Sequence, residues 1–252
     1  MSDKQLLDFI AERSGAGEPI SVITRIAAGE EAYKLAVTET GDCCGSNQSV
    51  ELPAEIINAA RKAIGGRKRA SIVETLSEGG AKVTHIIDVI RPKPSLVVFG
   101  AGHVGQAVAL IGALTGYDVT VVDDREEFLS RSRIPDNQIR LTKCDFNDAV
   151  RDISLTRSTA VVIVTRGHQY DEMCLRSVVG SSAGYIGMIG SKRRVLSVFA
   201  KLKQDGVPAE RLELVHAPIG LSIGARSPQE IAVAIVAEII SFLNVGTGEG
   251  KV

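Results

Sequence analysis

The chain has 252 residues, of which 44% are hydrophobic and 23% charged, so its length and composition fit a globular protein of one large or two modest domains. A net charge of −1 and an aromatic content of only 4% argue against a nucleic-acid-binding surface. No apolar run reaches the roughly 18 residues of a membrane span, and four cysteines without a CxxC pair predict a protein of the reducing cytoplasm.

Residues 1–90 are predicted to form a small α+β domain. Apolar spacing indicates a helix over 2–13, strands over 21–26 and 32–37, a turn-rich loop over 41–49 with Cys43 and Cys44, a helix over 53–64, and a hairpin of strands 70–75 and 82–90. Two prolines within residues 91–94 force extended backbone. We therefore expect a linker there and a second domain over 95–252.

The second domain begins with a strand, a glycine turn and a helix. An apolar run over 96–99 is followed by Gly100-Ala101-Gly102-His103-Val104-Gly105, a helical pattern that stops at Gly116, and an apolar run over 119–122 that ends in Asp123. This is the arrangement of a dinucleotide-binding Rossmann unit, in which the turn and the helix N-terminus hold a phosphate. Asp123 stands where an acid accepts from a ribose hydroxyl.

Strands and helices continue to alternate after this unit. Strands are predicted over 138–141, 159–164, 183–189 and 212–216, and helices over 146–151, around Met173–Val179, over 192–204 behind a Ser191 cap, and over 231–243 behind the capping box Ser227–Glu230. The pattern predicts an α/β fold: a Rossmann-type parallel sheet with helices on both faces.

Basic and imidazole side chains collect where these strands end. Because ligands of open parallel sheets lie beyond the carboxyl ends of the strands, these ends are the candidate site. The candidate binding residues are Gly100, Ala101, Gly102, His103, Gly105, Asp123, Thr165, Arg166, Gly167, His168, Gly190, Ser191, Arg193 and His216, with Arg125, Lys192 and Arg194 beside them. Such a rim favours an anionic, phosphorylated ligand. We predict neither a catalytic residue nor a metal held by the protein.

Several of these segments together resemble the XdhC/CoxI family. They are Thr165–His168, Ile189–Arg194, the run HAPIGLSIGA over 216–225, the glycine turn and residues 227–234, and the resemblance covers roughly 95–243. It implies a small N-terminal domain with a C-terminal Rossmann domain, often dimeric. It further implies a cytoplasmic chaperone that binds molybdenum cofactor and assists its insertion into a molybdenum hydroxylase such as xanthine dehydrogenase. In some members the chaperone also assists sulfuration, which would bring in a sulfur-donor protein.

The N-terminal part departs from the family pattern. Residues 48–51 read Gln-Ser-Val-Glu where the family carries glycines and a cysteine, so that cysteine is not carried over to this chain. Two alternatives to the chaperone stay open: an NAD(P)-dependent oxidoreductase and a regulatory Rossmann module that senses a nucleotide. The acid at Asp123 would favour NAD over NADP, but no Tyr-Lys or Cys-His pair presents itself as a catalytic centre.

Overall fold

The computed structural model describes residues 3–46, 52–66, 70–77, 80–146, 148 and 153–245. It divides into two compact units, Met1–Pro92 and Lys93–Val252, and the division falls inside the proline-rich segment 91–94. Among the described residues, no helix is long and apolar enough to cross a membrane.

The first unit is an antiparallel sheet covered by helices. Its elements are α1 (Asp3–Gly15), β1 (Ile20–Ala27), β2 (Tyr33–Thr38), β3 (Cys43–Gly45), α2 (Ala54–Gly65), β4 (Ala70–Leu76) and β5 (Lys82–Ile90), with the strand order β3-β2-β1-β5-β4. Ile56 and Ala60 of α2 pack on Ile23 and Ile87 of the sheet, all four buried. The hairpin of β4 and β5 confirms the prediction for this segment.

One prediction for this unit is wrong. The segment 41–49 is predicted as a loop, but Cys43–Gly45 forms an edge strand in which Cys44 lies opposite Ala36 of β2. Three residues carry too little periodicity to be read as a strand, and the pairing with β2 supplies what the local pattern lacks. Residues 47–51 lie outside the described part of the chain.

The second unit is built on a six-stranded parallel sheet. Its elements are β6 (Ser95–Phe99), α3 (His103–Leu114), β7 (Asp118–Asp123), a 3-10 turn (Glu126–Phe128), β8 (Arg140–Lys143), β9 (Thr159–Ile163), α4 (His168–Val178), β10 (Tyr185–Met188), α5 (Lys192–Gln204), α6 (Ala209–Glu213), β11 (Val215–His216) and α7 (Pro228–Val245). The strand order is β11-β10-β9-β6-β7-β8, and every pair is parallel.

This order is that of the Rossmann fold, in which the strand order reverses between the first and fourth strands, here the adjacent parallel strands β6 and β9. Successive residues of β6 point to opposite faces: Leu96 and Val98 pack in the cluster that includes α3 and α7, and Val97 and Phe99 in the cluster that includes α4 and α5. The predicted fold class, with helices on both faces, is confirmed.

The boundaries differ from the predictions in two places. The third strand of this sheet lies at Arg140–Lys143 rather than 138–141. The segment 212–216 is only partly a strand, since α6 takes its first half and β11 keeps two residues. Pro208 lies directly before α6, and its fixed φ suits a helix start. The apolar residues that follow it nevertheless read as a strand. Most of the predicted helix 146–151 lies outside the described residues.

Candidate functional site

The glycine turn joins β6 to α3 by a path that side chains would block. Gly100 has φ +105°, and a Cβ there would lie 2.6 Å from the carbonyl oxygen of Val164. A Cβ on Gly105 would lie 1.8 Å from the carbonyl oxygen of Gly100. The first helical turn therefore packs directly against the end of β6, as the sequence pattern predicts.

Gly102 is the N-cap of α3, and no side chain caps the helix there. A Cβ on Gly102 would meet nothing within 4 Å, so the backbone is open on that side. The first N–H groups of a helix have no partner within the helix, and the helix dipole adds a positive potential. The turn thus has the features of an anion site. His103, the first residue of α3, is exposed beside it.

Asp123 anchors this turn to the neighbouring strand. It is fully buried, and its Oδ2 accepts from the backbone N–H of Ala101 at 2.7 Å. Its Oδ1 accepts from the Arg125 backbone N–H at 3.0 Å and from Arg125 Nε at 2.9 Å, and Arg125 Nη2 donates to Oδ2 at 3.0 Å. Both carboxylate oxygens are therefore used within the chain. The bond of Asp123 to a ribose stays a prediction.

The basic rim is largely paired with carboxylates. Arg166 forms two hydrogen bonds to Asp124 and lies 3.8 Å above the Tyr170 ring. The Arg166 guanidinium lowers the pKa of Asp124 to about 2. Arg125 lies 3.7 Å from the centre of the Phe128 ring while it holds Asp123. These pairs were not expected from the excess of cations at the strand ends.

A third pair ties together the ends of β9, α4 and α5. Asp171, fully buried in the first turn of α4, accepts from the Thr165 hydroxyl and from Arg194. Ser191 caps α5 by accepting from the Arg194 backbone N–H at 3.3 Å, which confirms the predicted cap. The remaining cations of that helix start, Lys192 and Arg193, are exposed.

The structure thus joins most of the predicted site residues into one rim. The glycine turn contacts Asp123, and Gly100 lies against the backbone of Val164 and Thr165. Thr165 connects through Asp171 to Arg194, next to Gly190, Ser191 and Arg193. Gly167 is the N-cap of α4, whose first residue is His168. Sequence analysis missed Asp171, although an acid in the first turn of the helix after a basic strand end is a readable signal.

His216 is not part of this rim. It ends β11, which is separated from β6 by β10 and β9. Its Nδ1 lies 3.4 Å from Glu238 Oε1, and its ring stacks on Tyr185 with centroids 4.5 Å apart. The short edge strand carries His216 to another part of the sheet, and its place among the ligand-binding residues stays a prediction.

The cysteines differ in access. Cys43 is exposed, whereas Cys44 is buried, its thiol donates to the Gln5 carbonyl at 3.6 Å, and burial raises its pKa. Burial likewise raises the pKa of Cys174, which packs in the core as expected. Within the described residues, no group of three His, Cys, Asp or Glu side chains is placed to hold a metal ion.

Comparison with known proteins gives consistent similarities. The family model of the XdhC Rossmann domain matches residues 96–239. The chain is 33% identical over 172 residues to the uncharacterised protein YqeB of Escherichia coli, covering 68% of this chain and 31% of that protein. It is 32% identical over 154 residues to a probable xanthine dehydrogenase subunit of Bacillus subtilis, covering 61% of this chain and 44% of that protein.

Two further similarities concern a chaperone and a solved structure. The chain is 24% identical over 151 residues to the molybdenum cofactor insertion chaperone PaoD of Escherichia coli, covering 60% of this chain and 41% of that protein. It therefore spans less than half the length of these curated relatives. A crystal structure described as a xanthine dehydrogenase from Bacillus halodurans matches 96% of this chain and 67% of that one, with a TM-score of 0.66 and 22% identity, which shows a shared fold.

Proposed function

The chain belongs to the XdhC family, and from this premise we propose that it binds molybdenum cofactor and assists its insertion into a xanthine dehydrogenase or a related molybdenum hydroxylase. Two relatives support the proposal by their names, a molybdenum cofactor insertion chaperone and a probable xanthine dehydrogenase subunit. The cofactor would be cargo, taken up and passed on. The chain's own residues would hold it, and no residue is assigned a catalytic role.

The observation that carries the proposal is the uncapped glycine turn. The cofactor carries a phosphate, and in some forms a nucleotide. A phosphate is the kind of group that binds at a helix N-terminus, and here no side chain caps the N–H groups and Gly102 has no Cβ beside them. Arg125 and Arg166 flank the turn through Asp123 and Asp124 and would supply guanidinium donors to the same ligand.

Binding at this rim would be an exchange of partners. Arg166 already donates two hydrogen bonds to Asp124, so a phosphate that takes Arg166 must displace that carboxylate. Asp124, which is 29% exposed in its side chain, can turn toward water. Asp123 is buried and holds Ala101, so it stays in place and keeps the turn in shape. The turn is the fixed part of the site, and the Arg166 pair is the adjustable part.

The test is anaerobic equilibrium binding of molybdenum cofactor and of NAD(H), side by side, to the wild-type chain, Gly102→Asp and Gly102→Asn. A Cβ at position 102 would meet no atom within 4 Å, so both side chains can be placed there. Asn and Asp are equally good N-caps and have nearly equal volume. Their difference therefore isolates one negative charge at the phosphate position. We expect Gly102→Asp to bind the cofactor at least about tenfold more weakly than Gly102→Asn, a difference of about 1.4 kcal/mol.

Equal affinity of the two variants for the cofactor would show that the glycine turn does not bind its phosphate. Failure of the wild-type chain to retain the cofactor at all would overturn the proposed function itself. Circular dichroism of both variants, which should match the wild type, checks that the fold is intact.

The second candidate is a dinucleotide ligand. The strand order and the turn at the reversal point between β6 and β9 are those of dinucleotide-binding domains. NAD(H) binding without cofactor binding would select this alternative. Steady turnover with a carbonyl or alcohol substrate would then identify an oxidoreductase, and binding without turnover a nucleotide-sensing module.

A further inference from the structure

The acid at the ribose position of the Rossmann crevice is covered by the chain's own side chains. In dinucleotide-binding units of this fold, the acid at the end of the second strand accepts from the 2′-hydroxyl of the ribose. Asp123 ends β7, the second strand of the unit, but its side chain is fully buried. A ribose could therefore reach Asp123 only after another group had moved away from it.

The Asp123 carboxylate has no acceptor position to spare. Its two oxygens offer about four lone-pair positions. Oδ1 accepts from the backbone N–H and from Nε of Arg125, at 3.0 and 2.9 Å. Oδ2 accepts from the Ala101 backbone N–H at 2.7 Å and from Arg125 Nη2 at 3.0 Å. Because the side chain of Arg125 bonds both oxygens, a ribose hydroxyl would have to displace this guanidinium to bond Asp123.

The Arg125 guanidinium is held in place from a second side. The 3-10 turn Glu126–Phe128 begins directly after Arg125, and the Phe128 backbone N–H donates to the Arg125 carbonyl at 3.2 Å. This turn places the Phe128 ring so that Arg125 Cζ lies 3.7 Å from its centre, a cation–π contact. Paired bonds to a carboxylate fix the plane of a guanidinium, and the ring supports that plane. Displacing Arg125 would break both contacts at once.

Arg133 offers a natural comparison with Arg125. Its Cζ lies 4.5 Å from the centre of the same Phe128 ring, so both arginines use this ring as a platform. In the described part of the chain, no hydrogen bond or ion pair joins Arg133 to Asp123. The two arginines therefore share their charge and their aromatic neighbour, and they differ in whether they cover the acid.

We propose that Arg125 is a specificity-determining residue that closes the ribose position, so that the crevice disfavours NAD and other nucleotides with an unmodified ribose. A site can reject a competitor by withholding the group that the competitor needs. The glycine turn stays open to a phosphate, but the ribose finds no acceptor at Asp123. A ribose with a 2′-phosphate would meet the guanidinium instead of the acid and is not rejected in the same way.

The proposal does not rest on the proposed function. It states what the crevice rejects, whichever phosphorylated ligand it takes. Cofactor binding to the wild-type chain is measured separately, so failure of one proposal leaves the other open to its own test.

The experiment compares ADP with 2′-deoxy-ADP, which differ only in the hydroxyl that the acid would bind. Isothermal titration calorimetry measures the affinity of each nucleotide for the full wild-type chain, Arg125→Ala and Arg133→Ala. We expect the wild type and Arg133→Ala to bind both nucleotides equally, within about twofold, or to bind neither. Arg125→Ala opens Asp123 to the crevice, so this variant should bind ADP at least about tenfold more tightly than 2′-deoxy-ADP.

Three outcomes would overturn the proposal. The first is a wild-type preference for ADP of about tenfold or more, since Asp123 would then bind the ribose with Arg125 in place. The second is equal affinity of Arg125→Ala for the two nucleotides, or binding of neither. The third is the same preference for ADP in Arg133→Ala as in Arg125→Ala, because loss of any nearby positive charge would then suffice.

Circular dichroism checks that each variant is folded. If Arg125→Ala does not fold, Arg125→Lys decides. Lysine keeps the charge beside Asp123 but cannot form paired bonds to both carboxylate oxygens, so a preference for ADP of at least about threefold should appear. Equal affinity of folded Arg125→Lys for the two nucleotides would overturn the proposal.

Discussion

At the scale of single residues, the site is defined by carboxylates as much as by arginines. Asp123, Asp124 and Asp171 each hold one arginine of the rim, and two of these acids, Asp123 and Asp171, are fully buried. A buried ion pair contributes little net stability, but removing one partner leaves an uncompensated charge and costs several kcal/mol. The pairs therefore fix where each arginine lies.

Asp171→Asn should show this cost. The substitution leaves Arg194 without its carboxylate at the junction of β9, α4 and α5, and we expect a loss of roughly 3 kcal/mol in the free energy of unfolding. The matched control is Asp205→Asn, which removes a carboxylate from the exposed pair with Arg176 and should cost less than about 1 kcal/mol. Urea unfolding of the full chain measures both, and equal costs would contradict the role given to Asp171.

The sequence predicts the cations of the rim but not their pairing. Arg166 and Arg194 stand out because strand ends gather ligand-binding groups. Asp124 and Asp171 lie 42 and 23 residues away from their partners, a separation that only the folded sheet closes. The same reasoning explains why His216 lies away from the rim. It ends a strand as the other candidate residues do, but that strand is at the edge of the sheet, two positions from β9. The local sequence pattern predicts where a strand ends, but only the strand order of the folded sheet determines which strand ends lie next to each other.

At the scale of elements, the contact between α3 and β6 depends on the absence of a side chain at one position. Gly105→Ala would place a Cβ 1.8 Å from the backbone oxygen of Gly100, so the turn must shift. We expect a loss of about 1–3 kcal/mol in stability, as for an overpacked core position. Gly102→Ala, three residues earlier, has nothing within 4 Å and should change stability by less than about 1 kcal/mol.

Thermal unfolding of the two variants is the measurement. An unchanged unfolding temperature of Gly105→Ala would contradict this expectation, because it would show that α3 can move away from β6 with no loss of stability. The test separates the two glycines, since Gly105 lies in a tight backbone contact and Gly102 has open space beside it.

Long, regular elements were predictable, and short ones were not. The capping box before α7 is present as the sequence indicates: Glu230 N–H donates to Ser227 Oγ at 3.2 Å, and Ser227 N–H to Glu230 Oε2 at 3.0 Å. By contrast, β3 and β11 have three and two residues, and only pairing with β2 and β10 makes them strands. Their existence is a property of the sheet rather than of the local sequence.

At the scale of the whole molecule, each unit has its own core. Ile23, Ile56 and Ile87 are buried in the first unit, and two clusters on opposite faces of the parallel sheet form the core of the second. We expect residues 93–252, expressed alone, to fold and to keep any affinity for the cofactor that the full chain shows. Cooperative thermal unfolding followed by circular dichroism checks the first point, and the binding assay checks the second. A fragment that aggregates or melts without a transition would contradict this independence.

The pairing of the rim arginines has a consequence for what can bind there. Arg125, Arg166 and Arg194 each already have a carboxylate of the same chain as counter-ion, so an incoming anion does not meet three unpaired guanidinium groups there. A small anion or a polyphosphate would gain little binding free energy from these arginines, because it must displace a carboxylate that belongs to the same chain and stays nearby. A ligand that also binds the N–H groups at the start of α3 would displace the carboxylate more readily, because it gains a second set of contacts. In the proposed exchange, the displaced carboxylate would return to its arginine when the ligand leaves, and no ion from solution would be needed.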